Sequence, residues 1–535
     1  MAKVIPFVNT PIDDINSTIE NLRNTFYSGK TRPVQYRIQQ LRRLYWAIED
    51  HKDEILSACK QDLGKGFFET MVAEIAWVQN DIIFVTNNLE KWAKDESAPD
   101  IDLAQRFQRP MIRKDPLGIV LVIGAFNFPI QLSLGPMIGA ISGGNTVVLK
   151  PSENAPASAM IMQKIIAASM DSDCYTTVQG AIAETKALLA QRWDKIFFTG
   201  SASTGRIINQ AAAPHLTPVT LELGGRNPAI ITRKADVRLA AHRLLWAKTM
   251  NAGQVCISHN YTLVDREVLD QFLIELKGAI KEFFPNGAAA SEDYGILATQ
   301  AGFDRCRKML ESTSGEIIAG GQMDANKRFI EPTVVLITDP DDTLMREESF
   351  GPLMPVLGVD NLDQAISIAN KIDATPLGVY AFGAKSETDK ILRETRSGGA
   401  SINDGFTHGT IGTLAFGGVG ESGSGSYRGR ASFDCFVHRR SITTTPGWLE
   451  ILLKARYPPF AGTGKWKQLE GILVKKPNFD RQGKTKIGWI RWILTLGTGE
   501  YWRAVLRASL FMGVATVVTM LMDRRVLSRL LPQEV

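Results

Sequence analysis

Cysteine is scarce and unpaired in this chain of 535 residues. Five cysteines (Cys59, Cys174, Cys256, Cys306 and Cys435) are scattered along it with no CxxC pair. An odd, dispersed set argues against a disulfide framework and against a zinc site, and favours a reducing compartment. No metal is expected. A secretory signal is also missing, because MAKVIPFVNTPIDD has no basic stretch followed by an apolar one. No fixed-period repeat is present. Nor is there a motif that interleaves basic and aromatic residues. The formal charge of +5 does not give the chain a basic face. Between Lys475 and Arg529, eleven Lys/Arg stand against three acids, an excess of eight that leaves −3 for the remainder. No nucleic-acid partner is expected.

At about 150 residues per domain, the length predicts two or three domains with a large core. Residues 12–60 show helical spacing, as in Leu41, Leu44, Tyr45 and Ile48. From residue 118 the pattern changes. GIVLVIGAF and NTVVLK are short, continuous apolar runs of the kind that form strands buried on both faces. CYTTVQG and KIFFTGS continue the series, with helical stretches such as PASAMIMQKIIAASM between them. A second series begins near Asn227 with NPAIIT, YTLVD, PTVVLI, LMPVLGV, VYAFGA and GASIND, interrupted by VRLAAHRLLWAK and REVLDQFLIELKGAIKEFF. Strand–helix alternation at this spacing predicts an α/β fold with two doubly wound domains. RFQRPMIRKD and SFDCFVHRRSI alternate and are polar enough for exposed strands of a small pairing element, expected to join subunits.

The tail differs. Ala508 to Met522 has no charge, and extending it to Ala504 includes only Arg507. A bilayer core takes about 20 apolar residues, and a long Arg side chain near a helix end snorkels to the headgroups. Trp489, Trp492, Tyr501 and Trp502 lie upstream, and such aromatics favour the membrane–water interface. The segment reads as a membrane contact, either a short span or an interfacial helix. The competing reading is a buried C-terminal helix.

Four stretches carry chemistry. In AKTMNAGQVCIS, Cys256 follows Gly253 and Gln254, so a sharp turn can present its thiol for attack on a carbonyl; the alternative is a small buried hydrophobe. In TLELGGRNP, Glu222 is a lone acid in an apolar strand. It is either a general base or a carboxylate satisfied by the turn that follows. In GAFNFPIQLSLGP, Asn127 stands at the carboxyl end of a buried strand, where ligands gather in open α/β sheets. Its amide can donate to an oxyanion or serve only the turn. FFTGSASTG leads from a strand into a helix whose N-terminus suits a phosphate, although Gly200-x4-Gly205 is not the G-x-G-x-x-G fingerprint. Lys150 and Glu153 in LKPSE can hold ribose hydroxyls.

Together with EESFGP at 347–352, SINDGF at 401–406 and FGGVGESGSGSYRG at 416–429, these stretches resemble the aldehyde dehydrogenase superfamily over roughly residues 15–445. SFDCFVHRRSI, RYPPF at 456–460 and the apolar tail look most like its class 3 branch, which includes membrane-anchored fatty aldehyde dehydrogenases. The resemblance implies Cys256 as nucleophile, Glu222 as base and Asn127 as oxyanion donor. It places Lys150 and Glu153 near an adenosine ribose, Gly200, Ser201 and Gly205 near a pyrophosphate, and Glu348 and Phe350 around a nicotinamide. NAD is the expected cofactor, because an acid beside the ribose disfavours a 2′-phosphate; class 3 members also accept NADP.

The implied organisation has a mainly NAD-binding domain at 1–222 with an oligomerisation hairpin near 105–115, and a catalytic domain at 223–425. An oligomerisation strand and return segment follow at 426–460. A basic, aromatic tail at 461–535 carries an apolar helix at about 504–522. The implied activity is NAD(P)-dependent oxidation of long-chain apolar aldehydes, such as fatty aldehydes, to acids through a thiohemiacetal and a thioester. Apocarotenal oxidation, CoA acylation and an inactive membrane scaffold are the alternatives. A homodimer tethered through its tail is expected, its catalytic domain facing the cytosol. The endoplasmic reticulum comes first among the membranes, ahead of the mitochondrial outer membrane and lipid droplets. Several positions depart from the family pattern. Arg226 stands where Lys is commoner, Ala415 replaces a proline, and His259 belongs to Ile-Ser-His-Asn where Ala-Pro-Asp is usual. His259 reads as a strand-initiating residue or an altered substrate wall, and His408 as structural or pocket-lining.

Overall fold

Continuous apolar runs became strands because both faces of each are covered. In the computed structural model, which describes residues 6–475, 477–485, 493–495 and 501–522, Ile119–Ile123, Thr146–Lys150 and Lys195–Thr199 are buried at every position. Alternate residues serve opposite cores. Val120, Val122, Val147 and Leu149 pack with the helices Val34–Asp50, Ala76–Trp92, Gln131–Gly143 and Pro156–Ser169. Ile119, Leu121, Ile123 and Val148 pack with Ile12–Ser28, Ile182–Leu189 and Ala202–Ala212. The first sheet has six strands, in the spatial order Gly423–Ser424, Val219–Glu222, Lys195–Thr199, Ile119–Ile123, Thr146–Lys150, Tyr175–Thr177. All its pairs are parallel except the short return strand Gly423–Ser424, which runs antiparallel to Val219–Glu222.

The second sheet has seven strands, ordered Glu316–Ala319, Thr333–Ile337, Leu353–Val359, Tyr261–Asp265, Pro228–Ile231, Gly378–Phe382, Gly399–Ile402. Only its first pair is antiparallel. Both sheets belong to one compact unit, Met1–Ala98 with Met111–Ile442.

The exposed pairing element is smaller than the alternation suggested. Met111–Pro116 pairs antiparallel with Val437–Ile442 of the same chain, and Glu96–Ser97 completes a three-stranded sheet. The first strand does not begin at residue 106, because Leu103–Gln108 is a 3-10 helix and Arg109 takes a positive φ of 44° ahead of Pro110, which has no N–H for a ladder. Upstream of the second strand, Arg430–Cys435 is helical.

The other unit gathers Pro99–Pro110 with Thr443–Val535. Thr444 N–H donates to the Gln108 carbonyl at 2.7 Å, Phe107 meets Trp448 edge-on at 5.7 Å, and Lys475 pairs with Asp102 at 2.8 Å. Among its described residues the longest helix is Tyr501–Met522. Trp489 and Trp492 lie outside the described residues, as does everything after 522.

Candidate active site

In the first sheet, strand order reverses between Ile119–Ile123 and Lys195–Thr199. Open parallel sheets bind ligands at such a switch point, beyond the carboxyl ends of the strands. A cavity of about 670 Å³ lies there. The segments leaving four neighbouring strands line it: Phe126 and Asn127, Lys150 and Glu153, Gly200 and Ser201, Glu222 and Gly224. Cys256, Arg305, Glu348 and Phe350 come to it from the chain of the second sheet.

Cys256 arrives on a strained turn. The helix Val237–Thr249 ends, and Asn251, Ala252 and Gly253 all take positive φ, at 50°, 50° and 75°. A Cβ on Gly253 would strike the Gly351 carbonyl, so only glycine fits. Gln254 secures the turn, donating to the Asn251 and Ile296 carbonyls (both 3.0 Å) and accepting from Ala298 N–H (2.9 Å). The amides of Ile257 and Cys256 face the sulfur and favour its thiolate. Burial outweighs them, and with the neighbouring Glu348 and Glu222 carboxyls it pushes the thiol up to about 12.

Asn127 is 2% exposed. Its Nδ2 donates to the Gln254 carbonyl at 3.0 Å, which uses one amide proton and leaves the other for the cavity. Asn251 reciprocates, donating to the Asn127 carbonyl at 2.7 Å. The stretch bearing the amide and the loop bearing the thiol are thereby tied together. Glu222 ends its strand fully buried, and neither carboxyl oxygen has a hydrogen-bond partner. The turn amides therefore do not satisfy it, and burial holds its carboxyl well above the usual range. Burial favours the protonated carboxyl, and water or a cation beside it would let that proton leave, giving a carboxylate able to act as a base.

The same cavity suits a dinucleotide. Ser201 caps the helix Ala202–Ala212, its Oγ accepting from Thr204 N–H at 3.3 Å, and the first turn opens onto the cavity. Lys150 and Glu153 form an ion pair at 2.5 Å, with the cation buried and the acid about one-third exposed. Gly224 leaves room for the Glu348 carboxyl, and Gly225 N–H donates to it. Burial raises Glu348 to about 7 against the opposing pull of Arg305 and Lys248. Phe350 meets Phe126 edge-on at 5.8 Å. Gly205 does not line the cavity. It sits one turn into its helix, where a Cβ would press on Leu223, so its place is in helix–strand packing.

On the other side of the thiol lies an apolar cavity of about 130 Å³, walled by Trp77, Phe128, Leu132, Trp246, Ile257, Phe406, Phe416 and Tyr427. Cys256 belongs to both linings, and no other residue does. The guanidinium of Arg428 stacks on Trp77 at 4.0 Å and closes one end.

His408 stacks on Phe416 and hydrogen-bonds Ser401 through Nδ1 at 3.0 Å; burial lowers it to about 4, and it stands behind the cavity wall. His259 lies outside both linings, fully buried two residues before the strand Tyr261–Asp265. Sequence reasoning missed Asn251, Gln254, Arg305 and the aromatic walls. It also missed Lys65 and Glu74 behind Asn127. Glu74 carries the signal that exposed Glu222, a lone acid in an apolar run (MVAEIAW).

Comparison with known proteins bears on the family and the fold. The Aldehyde dehydrogenase family model matches residues 6–442. The beta-apo-4'-carotenal oxygenase of Neurospora crassa is 50% identical over 502 residues, 93% of each chain. The dimeric NADP-preferring aldehyde dehydrogenase of Canis lupus familiaris is 40% identical over 83% of this chain and 98% of its own. Among solved structures, the substrate-bound Staphylococcus aureus AldH superposes with a TM-score of 0.83 at 35% identity, over 86% of this chain and 99% of that one.

Proposed function

This chain belongs to the aldehyde dehydrogenase family, and on that premise we propose that it oxidises long-chain apolar aldehydes to carboxylic acids, with Cys256 as nucleophile, Asn127 as oxyanion donor and Glu222 as base. The enzyme uses NAD or NADP. What carries the reading is the place of Cys256 between a cavity of dinucleotide size at the strand switch point and a smaller apolar one. An aldehyde whose chain lies among Trp77, Trp246 and Phe416 brings its carbonyl to the sulfur from the dry side.

The Cys256 thiolate adds to the carbonyl carbon, and the new C–S bond leaves an oxyanion. The free amide proton of Asn127 and the Cys256 N–H stabilise that charge in a water-poor site, where preorganised donors act most strongly. When bound, the nicotinamide supplies the hydride acceptor that makes a thioester of the adduct, and its positive ring favours the thiolate against the burial that opposes it. Lys150 and Glu153 are the residues for its adenosine ribose, the amides around Gly200 and Ser201 for its pyrophosphate, and Glu348 and Phe350 for its nicotinamide end. Glu222 then removes a proton from water, the hydroxide attacks the thioester, and the acid leaves as the C–S bond breaks.

A second substrate within the same class is favoured by one observation, the 50% identity to a protein named for a carotenal. Carotenoid-derived aldehydes are long and apolar too. A base at Glu222 speaks against transfer to CoA, which needs no activated water. Tyr501–Met522 is the proposed membrane tether, with the catalytic part facing the cytosol at the endoplasmic reticulum, and a homodimer is proposed by analogy with the dimeric relative.

Rapid mixing with a long-chain aldehyde tests the assignment. Glu222→Gln is expected to keep a first burst of NADH equal to the enzyme present while steady turnover falls about 10²–10⁴-fold. Loss of the burst, or full steady turnover, would falsify the role of Glu222 as hydrolytic base.

A further inference from the structure

A buried ion pair lies directly behind Asn127. Lys65 and Glu74 are fully enclosed, with Nζ and Oε1 2.5 Å apart. Neither residue lines either cavity. Their other side-chain hydrogen bonds go to the stretch 127–131, and the buried Glu69 carboxyl feels both charges. Lys65 Nζ donates to the Asn127 carbonyl at 2.8 Å and stands 4.0 Å from the centre of the Phe128 ring. The second carboxylate oxygen of Glu74 accepts from Ile130 N–H at 3.1 Å and Gln131 N–H at 3.0 Å, at the start of the helix Gln131–Gly143. Glu74 itself occupies a π-helical turn, Met71–Ile75, a rare geometry that recurs at functional sites.

Desolvating two charges costs roughly what their attraction returns, so such a pair is weak evidence for a stabilising role and needs another explanation. Here the geometry offers one. The Asn127 carbonyl receives donors from both sides, Lys65 Nζ and Asn251 Nδ2, so the peptide plane that follows Asn127 is fixed. With Ile130 and Gln131 also held, the Cα–Cβ direction of Asn127 is fixed, and its amide keeps one proton on Gln254 and leaves the other for the cavity that Cys256 also lines.

We propose that the Lys65–Glu74 pair is the positioning element of the oxyanion site, holding the Asn127 amide where the oxyanion forms. This rests on reading Asn127 as the oxyanion donor.

The test removes both charges together, as Lys65→Met with Glu74→Gln, so that no unpaired charge stays buried. The measurement is the single-turnover rate of NADH formation from a long-chain aldehyde, with KM for NAD and the melting temperature alongside, in the native and Asn127→Ala backgrounds. In the native background the rate is expected to fall about 10- to 100-fold, the scale of a displacement near 1 Å at a reacting group, while KM for NAD moves less than about twofold. In the Asn127→Ala background the further loss is expected to stay below about threefold, because residues acting through one group do not add. An equal loss in both backgrounds, or an unchanged native rate, overturns the proposal. If Asn127→Ala alone keeps the full rate, the reading of Asn127 falls first and takes the proposal with it. Should the double variant fail to fold, Lys65→Met alone carries the same comparison. Burial already pushes the Glu74 carboxyl up toward its neutral form, and the Asn127 carbonyl loses its Lys65 donor, so the loss is again expected to vanish without the Asn127 amide.

Discussion

Two carboxyls, Glu348 and Glu222, meet at the proposed nucleophile, and their charges are coupled to its own. Burial raises Cys256 to about 12, with Glu348 and then Glu222 adding to the shift. Burial also raises Glu348, to about 7. The sign of the coupling follows. Below pH 6, Glu348 is neutral and cannot oppose the thiolate. Above pH 8 it is charged and does. Glu348→Gln is therefore expected to speed alkylation of Cys256 by iodoacetamide at pH 9 and to leave it unchanged at pH 5.5, in the enzyme without cofactor. Labelling rates followed by peptide mass spectrometry check this, and equal acceleration at both pH values would mean that Glu348 acts by shape and not by charge. The same raised carboxyl has a consequence for folding. A protonated form favoured in the native state contributes stability below the unfolded value of about 4.5, and that contribution is lost as the pH rises through about 7.

At the scale of elements, the turn before Cys256 concentrates the strain of the site. Gly253 combines a φ of 75° with no room beside the Gly351 carbonyl. Gly253→Ala is expected to cost about 1–3 kcal/mol by thermal unfolding and to cut activity out of proportion, because the thiol moves with the turn. Loss of stability with full turnover would show that the turn serves the fold alone. This turn was only partly legible in the sequence. Gly253 announced a sharp bend, but the positive φ of Asn251 and Ala252 is imposed by long-range partners such as the Asn127 carbonyl. The same distinction runs through the molecule. Strands such as Ile119–Ile123 were readable because burial on both faces makes every position apolar. The strand at Met111 was read too long because alternation does not reveal a left-handed residue before a proline. Cys256, Glu222 and Asn127 stood out as polar groups in apolar or turn settings. Lys65 did not, since its meaning depends on partners at Glu74 and Asn127 that only the folded chain supplies. Trp77 and Trp246, each on a helix, carry no local signal of the cavity that they wall in the folded chain.

At the scale of the whole molecule, the linings of both cavities come from residues 72–428, whereas the helix Tyr501–Met522 belongs to the other compact unit. That helix is 22 residues long, about 33 Å at 1.5 Å per residue, against a bilayer core of about 30 Å. Its exposed residues include Val505, Leu506, Phe511, Met512, Val514 and Met520, which lie around its circumference and not along one stripe. A helix apolar on all sides suits a span better than a place along the interface, and Arg503 and Arg507 near its start suit the headgroup region. The full chain is therefore expected to resist extraction from membranes by alkaline carbonate, and a chain ending after residue 485 to be soluble. Because the truncated chain keeps both cavities, its turnover of short, water-soluble aldehydes should match the full chain. Its turnover of long aldehydes dissolved in lipid vesicles should drop, since those substrates seldom leave the lipid. Carbonate extraction and an NADH assay over a series of chain lengths separate the outcomes. A truncated chain that stays with membranes would refute the tether, and an equal fall for short and long aldehydes would mean that the tail supports the fold and does not bring enzyme and substrate to the same surface.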